Sequence, residues 1–149
     1  MVNIREMTMD DFDQVMAIEN VNFSEPWTEA GFFTFFLRDD TLFLVAEEDE
    51  KIKGYIGIVC VPEDGDITNV SVAPEAQGAG IGSMLVEELI KSAAERGVTN
   101  IFLEVRASNA SAIHLYEKYG FRQISVRKGY YTKPLEDALV MKREEECTN

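Results

Sequence analysis

Six residues, Gln77-Gly78-Ala79-Gly80-Ile81-Gly82, carry the densest chemical signal in this chain of 149 residues. Three glycines in five positions let main-chain N–H groups approach a ligand with no Cβ in the way. A β-rich run, Asn69-Val70-Ser71-Val72, reaches the loop through Pro74, and an amphipathic helix follows at once. A helix start offers partial positive charge and unpaired donors, so the loop through Ser83 suits an anion, above all a diphosphate. The plain alternative is a tight strand-to-helix turn without a ligand. A Walker A loop is ruled out because no lysine follows the last glycine, and G-x-G-x-x-G is one residue out of register.

The second chemical stretch is Ile101-Phe102-Leu103-Glu104-Val105-Arg106 with the helical pattern after it. Side chains alternate along a strand, so Ile101, Leu103 and Val105 share one face while Phe102, Glu104 and Arg106 share the other. Burial beside an aromatic would make Glu104 a better proton acceptor. The alternative is a solvated carboxylate paired with Arg106, since charge on a strand face is ordinarily exposed. Asn109 stands where a helix begins and can cap it. Tyr116 follows Ala112 by one helical turn; such a tyrosine packs in a core unless its hydroxyl faces a reacting atom. His114, the one histidine, is a rival proton acceptor, but two positions before Tyr116 it points elsewhere and suits a surface role. With no second histidine and no cysteine pair, a catalytic metal is not expected.

These residues need a scaffold, and the pattern supplies one. Val2 to Arg5 reads as a strand, and Thr8-Met9-Asp10-Asp11 opens a helix with Phe12, Val15, Met16 and Glu19 at helical spacing. Thr28, after Pro26 and Trp27, caps a second helix rich in phenylalanine. Leu42 to Ala46 and Ile52 to Val61 form a hairpin, and Pro62 to Gly65 turns into the strand Ile67 to Val72. A third helix runs from about Gly80 to Arg96, where Gly97 stops it, and a fourth from Asn109 to Tyr119 before Gly120. Arg122 to Arg127 and Asp137 to Lys142 are the last strands. The order β-α-α-β-β-β-α-β-α-β-β predicts a mixed α/β fold with helices on both faces of one sheet.

The length suits one domain. A net charge of −13 argues against nucleic acid as a direct partner and favours cationic substrates such as a basic peptide, a protein tail or a polyamine. It repels a polyphosphate at long range, so binding one must rest on local amides. Surplus acid that only keeps the protein soluble is the alternative. No apolar stretch is long enough to span a membrane, and the N-terminus lacks a signal pattern, so a cytoplasmic protein is expected. Cys60 reads as a small core residue, and Cys147 lies in the tail.

The pattern Q/R-x-x-G-x-G/A between strand and helix resembles the acetyl-coenzyme A loop of the GNAT family of N-acetyltransferases. The run LEVRASNASAIHLYEKYGF is similar to that of the ribosomal-protein alanine N-acetyltransferases (the RimI group) and their archaeal protein N-terminal acetyltransferase relatives. Pro26-Trp27-Thr28, and Gly129-Tyr130-Tyr131 followed by Glu136-Asp137-Ala138, match further signatures of that group. The resemblance implies the GNAT fold over residues 1–143, with a central, mostly antiparallel seven-stranded sheet, about four helices, and a frayed tail over 144–149.

The resemblance also implies an acetyl-CoA-dependent enzyme acting on a protein's N-terminal α-amine in a ternary complex, with Glu104 as general base and Tyr116 as general acid. Val70, Ser71, Val72 and Asn109 would contact the cofactor together with Gln77, Gly78, Ala79, Gly80, Ile81, Gly82 and Ser83. A backbone N–H near Val72 would polarise the thioester carbonyl, and Trp27, Tyr130 and Tyr131 would grip the acceptor. Two departures stand out. Gly78 and Ala79 are small where the group often has basic or amide side chains; the segment 23–27 carries polar residues just before Pro26, and the loop from Tyr131 to Asp137 has its own sequence. A small-molecule amine acetyltransferase and a non-catalytic acetyl-CoA-binding module stay open as alternatives; only an enzyme needs the Glu104 and Tyr116 pair.

Overall fold

The computed structural model describes residues 1–145. Seven strands form one sheet in the order β1-β2-β3-β4-β5-β7-β6. They are β1 (Asn3–Glu6), β2 (Thr41–Glu48), β3 (Lys51–Val61), β4 (Asp64–Val72), β5 (Asn100–Arg106), β6 (Arg122–Thr132) and β7 (Leu135–Glu144). Every neighbouring pair is antiparallel except β4 with β5. Four α-helices cover the faces: α1 (Phe12–Asn22), α2 (Glu29–Phe36), α3 (Ile81–Glu95) and α4 (Ala110–Lys118). This is the mixed, mostly antiparallel architecture expected.

Period-two alternation divides β2 between two cores. Leu42, Leu44 and Ala46 pack with Ile81, Leu85 and Leu89 of α3, while Phe43 and Val45 pack with Phe12, Val15 and Met16 of α1 and Phe32 of α2. The phenylalanines of α2 are useful here because their rings meet Phe43 and Trp27 edge-on or tilted, at centroid distances of 5.0–6.0 Å.

The sheet is irregular along β4. Opposite Gly57 and Ile58 of β3, Thr68 of β4 is an extra residue, because Ile58 pairs with Ile67 and Gly57 with Asn69. A bulge reverses which face each later side chain takes. Ile67 lies in the α3 core, yet it is Val70 and Val72 that pack there afterwards, while Asn69 and Ser71 bond to side chains of α1. Beyond the bulge β4 also leaves β5: the two strands pair only through Asp64, Gly65 and Asp66.

Several boundaries differ from expectation. Met9–Asp11 is a 3-10 turn before α1. β4 begins at Asp64, leaving Pro62-Glu63 as the turn. β6 continues through Tyr130 and Tyr131 to Thr132, because its pairing with β7 resumes after an irregularity, with Tyr131 opposite Glu136. Glu144, expected to fray, is the last residue of β7 opposite Asn100, and Glu145 N–H donates to Thr99 O at 2.7 Å. The rest of the expected tail, with Cys147, lies outside the described residues.

Candidate active site

The parting of β4 from β5 opens a cleft of about 1250 Å³. Pockets for one small ligand measure roughly 300–1000 Å³, so this cleft is larger than a single small ligand needs. Its walls include every site residue expected from the sequence except Ala79, whose side chain is exposed outside it. His114 is exposed on α4 and is not among the residues lining the cleft.

One end is the glycine loop. Gly78 and Gly80 adopt φ of +86° and +80°, a conformation that L side chains rarely take, and an added Cβ at either would meet nothing within 4 Å. The space over the loop is thus open to a ligand. The first bond of α3 is Met84 N–H to Gly80 O, 3.1 Å, so the N–H groups of Ile81, Gly82 and Ser83 have no acceptor within the helix. No lysine or arginine stands between Pro74 and Met84. Two polar side chains of the loop are engaged elsewhere: Gln77 Nε2 reaches Val72 O at 3.3 Å, and Ser83 Oγ meets Tyr119 Oη at 2.5 Å. What remains for a diphosphate is main-chain N–H.

The middle is the free edge of β4. Ala73 N–H donates back to Lys53 O of β3 at 2.7 Å, so by alternation Val70 and Val72 turn their main-chain groups towards the gap. The Val72 carbonyl already accepts from Asn22 Nδ2 at 2.7 Å. Its N–H is left for a ligand. Asn109 caps α4 through Ala112 N–H at 3.2 Å, as its position predicts, and borders the same gap.

At the other end stand Glu104 and Tyr116. Of the two readings of Glu104, the structure is nearer the solvated one: its side chain is 29% exposed and its Oε1 lies 3.4 Å from Arg127 Nε. Its partner is not Arg106. Arg106 reaches Glu136 at 3.3 Å and lies over the Tyr131 ring at 4.2 Å. Hydrogen bonds from Ser108 hold the Glu136 carboxyl below its ordinary range. Tyr116 is 7% exposed and packs edge-on against Phe121. Burial pushes its phenol above the ordinary value near 10, so it keeps its proton at neutral pH.

Beyond Glu104 and Tyr116 the cleft is walled by the segment between α1 and α2 and by the β6–β7 hairpin. These touch: Ser24 Oγ donates to Lys133 O at 2.6 Å, and Thr132 Oγ1 to Glu25 Oε1 at 2.7 Å. Trp27 lines the cleft below them, and Tyr130 and Tyr131 form a T-shaped pair at 5.0 Å.

Sequence reasoning missed Asn22, Asn69 and Glu19. Glu19 is 1% exposed and accepts hydrogen bonds from Tyr55, Asn69 and the Trp27 N–H. Its signal was present: a carboxylate at the helical spacing of Phe12, Val15 and Met16 stands on the core stripe of α1.

The profile of the acetyltransferase (GNAT) family matches residues 12–121. A ribosomal protein bS18-alanine N-acetyltransferase of Salmonella typhimurium is 35% identical over 143 residues, 95% of this chain and 96% of its own length. An N-alpha-acetyltransferase of Saccharolobus solfataricus is 33% identical, covering 94% of this chain and 91% of its own. Among solved structures, the ribosomal-protein-S18-alanine N-acetyltransferase of Escherichia coli is similar with a TM-score of 0.92 at 32% identity, covering 100% of this chain and 97% of that one.

Proposed function

This chain belongs to the acetyltransferase (GNAT) family and is an acetyltransferase, and on that premise we propose that it carries the acetyl group of acetyl-CoA to the N-terminal α-amine of a protein, a ribosomal protein by its likeness to the relatives above. The observation that carries this reading is the cleft between β4 and β5, with an amide-lined glycine loop at one end and Glu104 with Tyr116 at the other. Acetyl-CoA supplies an acetyl group activated as a thioester. The N–H groups of Ile81, Gly82 and Ser83 hold its diphosphate, and the turned-out edge at Val70 and Val72 holds the arm that follows.

Each of the chain's groups then has one task. The Val72 N–H donates to the thioester carbonyl. An α-amine has an ordinary pKa of roughly 8, so some of it is neutral at cellular pH and needs to lose only one proton on attack. Glu104 takes that proton, directly or through a water. Tyr116 keeps its own proton until sulfur departs and then gives it up there. Holding both substrates in one cleft supplies much of the acceleration.

The contacts of Ser24 and Glu25 with the β6–β7 hairpin favour an acceptor that enters end-first, as a chain terminus does. A cytoplasmic setting agrees with this reading, and among the described residues no helix is long and apolar enough to cross a membrane.

The test is acetyl-CoA consumption with peptides starting in Ala, Ser or Met, set against an N-blocked lysine peptide and spermidine. Turnover with free N-termini alone is the expected result. Preference for spermidine would make this a small-molecule amine acetyltransferase. Saturable acetyl-CoA binding without any acetylated product would make it a binding module.

A further inference from the structure

Glu19 has no part in the reaction as described, yet it is the most unusual charge in the molecule. It is 1% exposed, and no lysine or arginine among the described residues forms an ion pair with it. Burying a carboxylate without a counter-ion is costly, and an apolar side chain of similar size would pack there more cheaply. Three hydrogen bonds offset the cost. Oε1 accepts from the Tyr55 hydroxyl and from Asn69 Nδ2 at 3.0 Å; Oε2 accepts from the Trp27 N–H at 2.9 Å. Burial first, then the negative charge of Glu19, raises the Tyr55 phenol far above its ordinary value, so Tyr55 stays a donor.

The three donors come from three different parts of the fold. Tyr55 is on β3, deep in the core, and Asn69 is on β4, one residue before the Val70 edge that faces the donor arm. Trp27 is in the segment that walls the acceptor side. Glu19 therefore bonds both the Trp27 segment of the acceptor wall and Asn69 of the strand lining the donor channel.

We propose that Glu19 is a positioning residue for acceptor binding, holding the Trp27 segment in register with β4 through the Trp27 N–H. This rests on the acetyl-transfer reading above. The role lies in its Oε2 contact, and the Oε1 contacts anchor the carboxylate to the sheet.

Glu19→Gln separates those contacts. Glutamine can keep two bonds to the sheet through its carbonyl oxygen, which turns its NH2 towards the Trp27 N–H, donor against donor. Tyr55→Phe does the reverse, losing one sheet bond and leaving Trp27 held. Loss of a hydrogen bond to a charged group is worth about 1.5–3 kcal/mol, or about tenfold or more in affinity. Glu19→Gln is expected to raise the KM for peptide by about that factor. Its Kd for acetyl-CoA, measured by calorimetry, should stay within about twofold. Tyr55→Phe should lower Tm with little change in the KM for peptide.

Equal changes of both substrate constants in Glu19→Gln, or an unchanged KM for peptide, would overturn the proposal. Should that variant not fold, amide hydrogen exchange in the wild type decides. The Trp27 N–H is expected to exchange far more slowly than the N–H groups of its neighbours Ser24 and Glu25, and more slowly still with peptide bound. Exchange at the rate of those neighbours overturns the proposal. A wild type that acetylates no peptide at all defeats the functional reading instead, and the Trp27 exchange rate still judges the tether.

Discussion

Arg127 Nε stands 3.4 Å from Glu104 Oε1, so the carboxylate at the far end of the cleft from the glycine loop is paired with the edge strand of the sheet. Arg127 itself is 58% exposed along its side chain, and such a pair contributes little to stability. We expect its effect to be on the aim of the carboxylate rather than on stability.

Glu104→Gln keeps the shape and removes the proton acceptor. Turnover with an Ala-starting peptide is expected to fall on the order of a hundredfold or more, the usual contribution of a general base. The Kd for acetyl-CoA should not change. Arg127→Ala should lower kcat by a smaller factor, since the carboxylate remains but is less well aimed. Full activity in Glu104→Gln, measured with product identified by mass spectrometry, would remove Glu104 from the chemistry.

Tyr116→Phe retains the ring packed against Phe121 and deletes the hydroxyl. A drop in kcat of about tenfold or more is expected, with Tm within a few degrees of the wild type. The diagnostic is the leaving group. With an acetyl thioester of a more acidic thiol, which departs without needing a proton, the penalty should shrink. An equal penalty with both donors would assign Tyr116 to packing alone.

Gly80 tests the donor end. At φ +80° any L side chain is strained by about 1–2 kcal/mol, and a β-branched one also projects into the space over the loop. Gly80→Val should weaken acetyl-CoA binding by about tenfold or more in calorimetry. Unchanged affinity would leave the loop as a turn.

Much of this site was legible in the residues, and the exceptions share a cause. The glycine loop, Glu104, Tyr116 and the helix caps at Thr28 and Asn109 are local patterns, and local patterns survive folding. The Thr68 bulge is a mismatch between β3 and β4 that neither strand shows alone, and it decides which side chains of β4 face α3 and which face α1. Likewise the partner of Glu104 comes from β6, a strand that joins the sheet beyond β7, so proximity in sequence favoured Arg106 wrongly. Tyr130 and Tyr131, left between the last two expected strands, belong to β6 because Tyr131 pairs with Glu136 across the hairpin.

Away from the cleft, Arg5 joins β1 to the first helical turn and to β2, bonding Asp11 at 2.7 and 2.8 Å and Glu47 at 2.9 Å. The hydrogen bonds from Arg5 are the main reason that the Asp11 carboxyl is held below its ordinary value, with burial acting in the opposite sense. A lowered folded-state value means that the stabilisation is complete above the unfolded pKa near 4 and is lost as pH falls through the lower, folded one. Asp11→Asn should therefore cost about 2 kcal/mol at pH 7, as loss of charge-assisted hydrogen bonds does. Its stability should then vary less with pH below about 4 than that of the wild type. Urea melts at several pH values would show parallel curves if the pair were inert. Peptide turnover at 25 °C should be untouched.

The last test concerns the contacts across the top of the cleft, where the proposed acceptor would enter. Ser24 Oγ to Lys133 O and Thr132 Oγ1 to Glu25 Oε1 are the two bonds that join the α1–α2 segment to the β6–β7 hairpin. Both are exposed, so each contributes on the order of 1 kcal/mol or less to the fold. Their joint removal in Ser24→Ala with Thr132→Val should leave Tm nearly unchanged. The two walls would then separate, and a wider channel admits an amine on a side chain as well as one at a chain end. We expect the double variant to bind its Ala-starting peptide several-fold more weakly while the KM for acetyl-CoA holds. Turnover of the N-blocked lysine peptide should rise relative to the wild type. If lysine turnover stays at the wild-type level while both bonds are gone, these contacts do not set the choice between chain terminus and side chain.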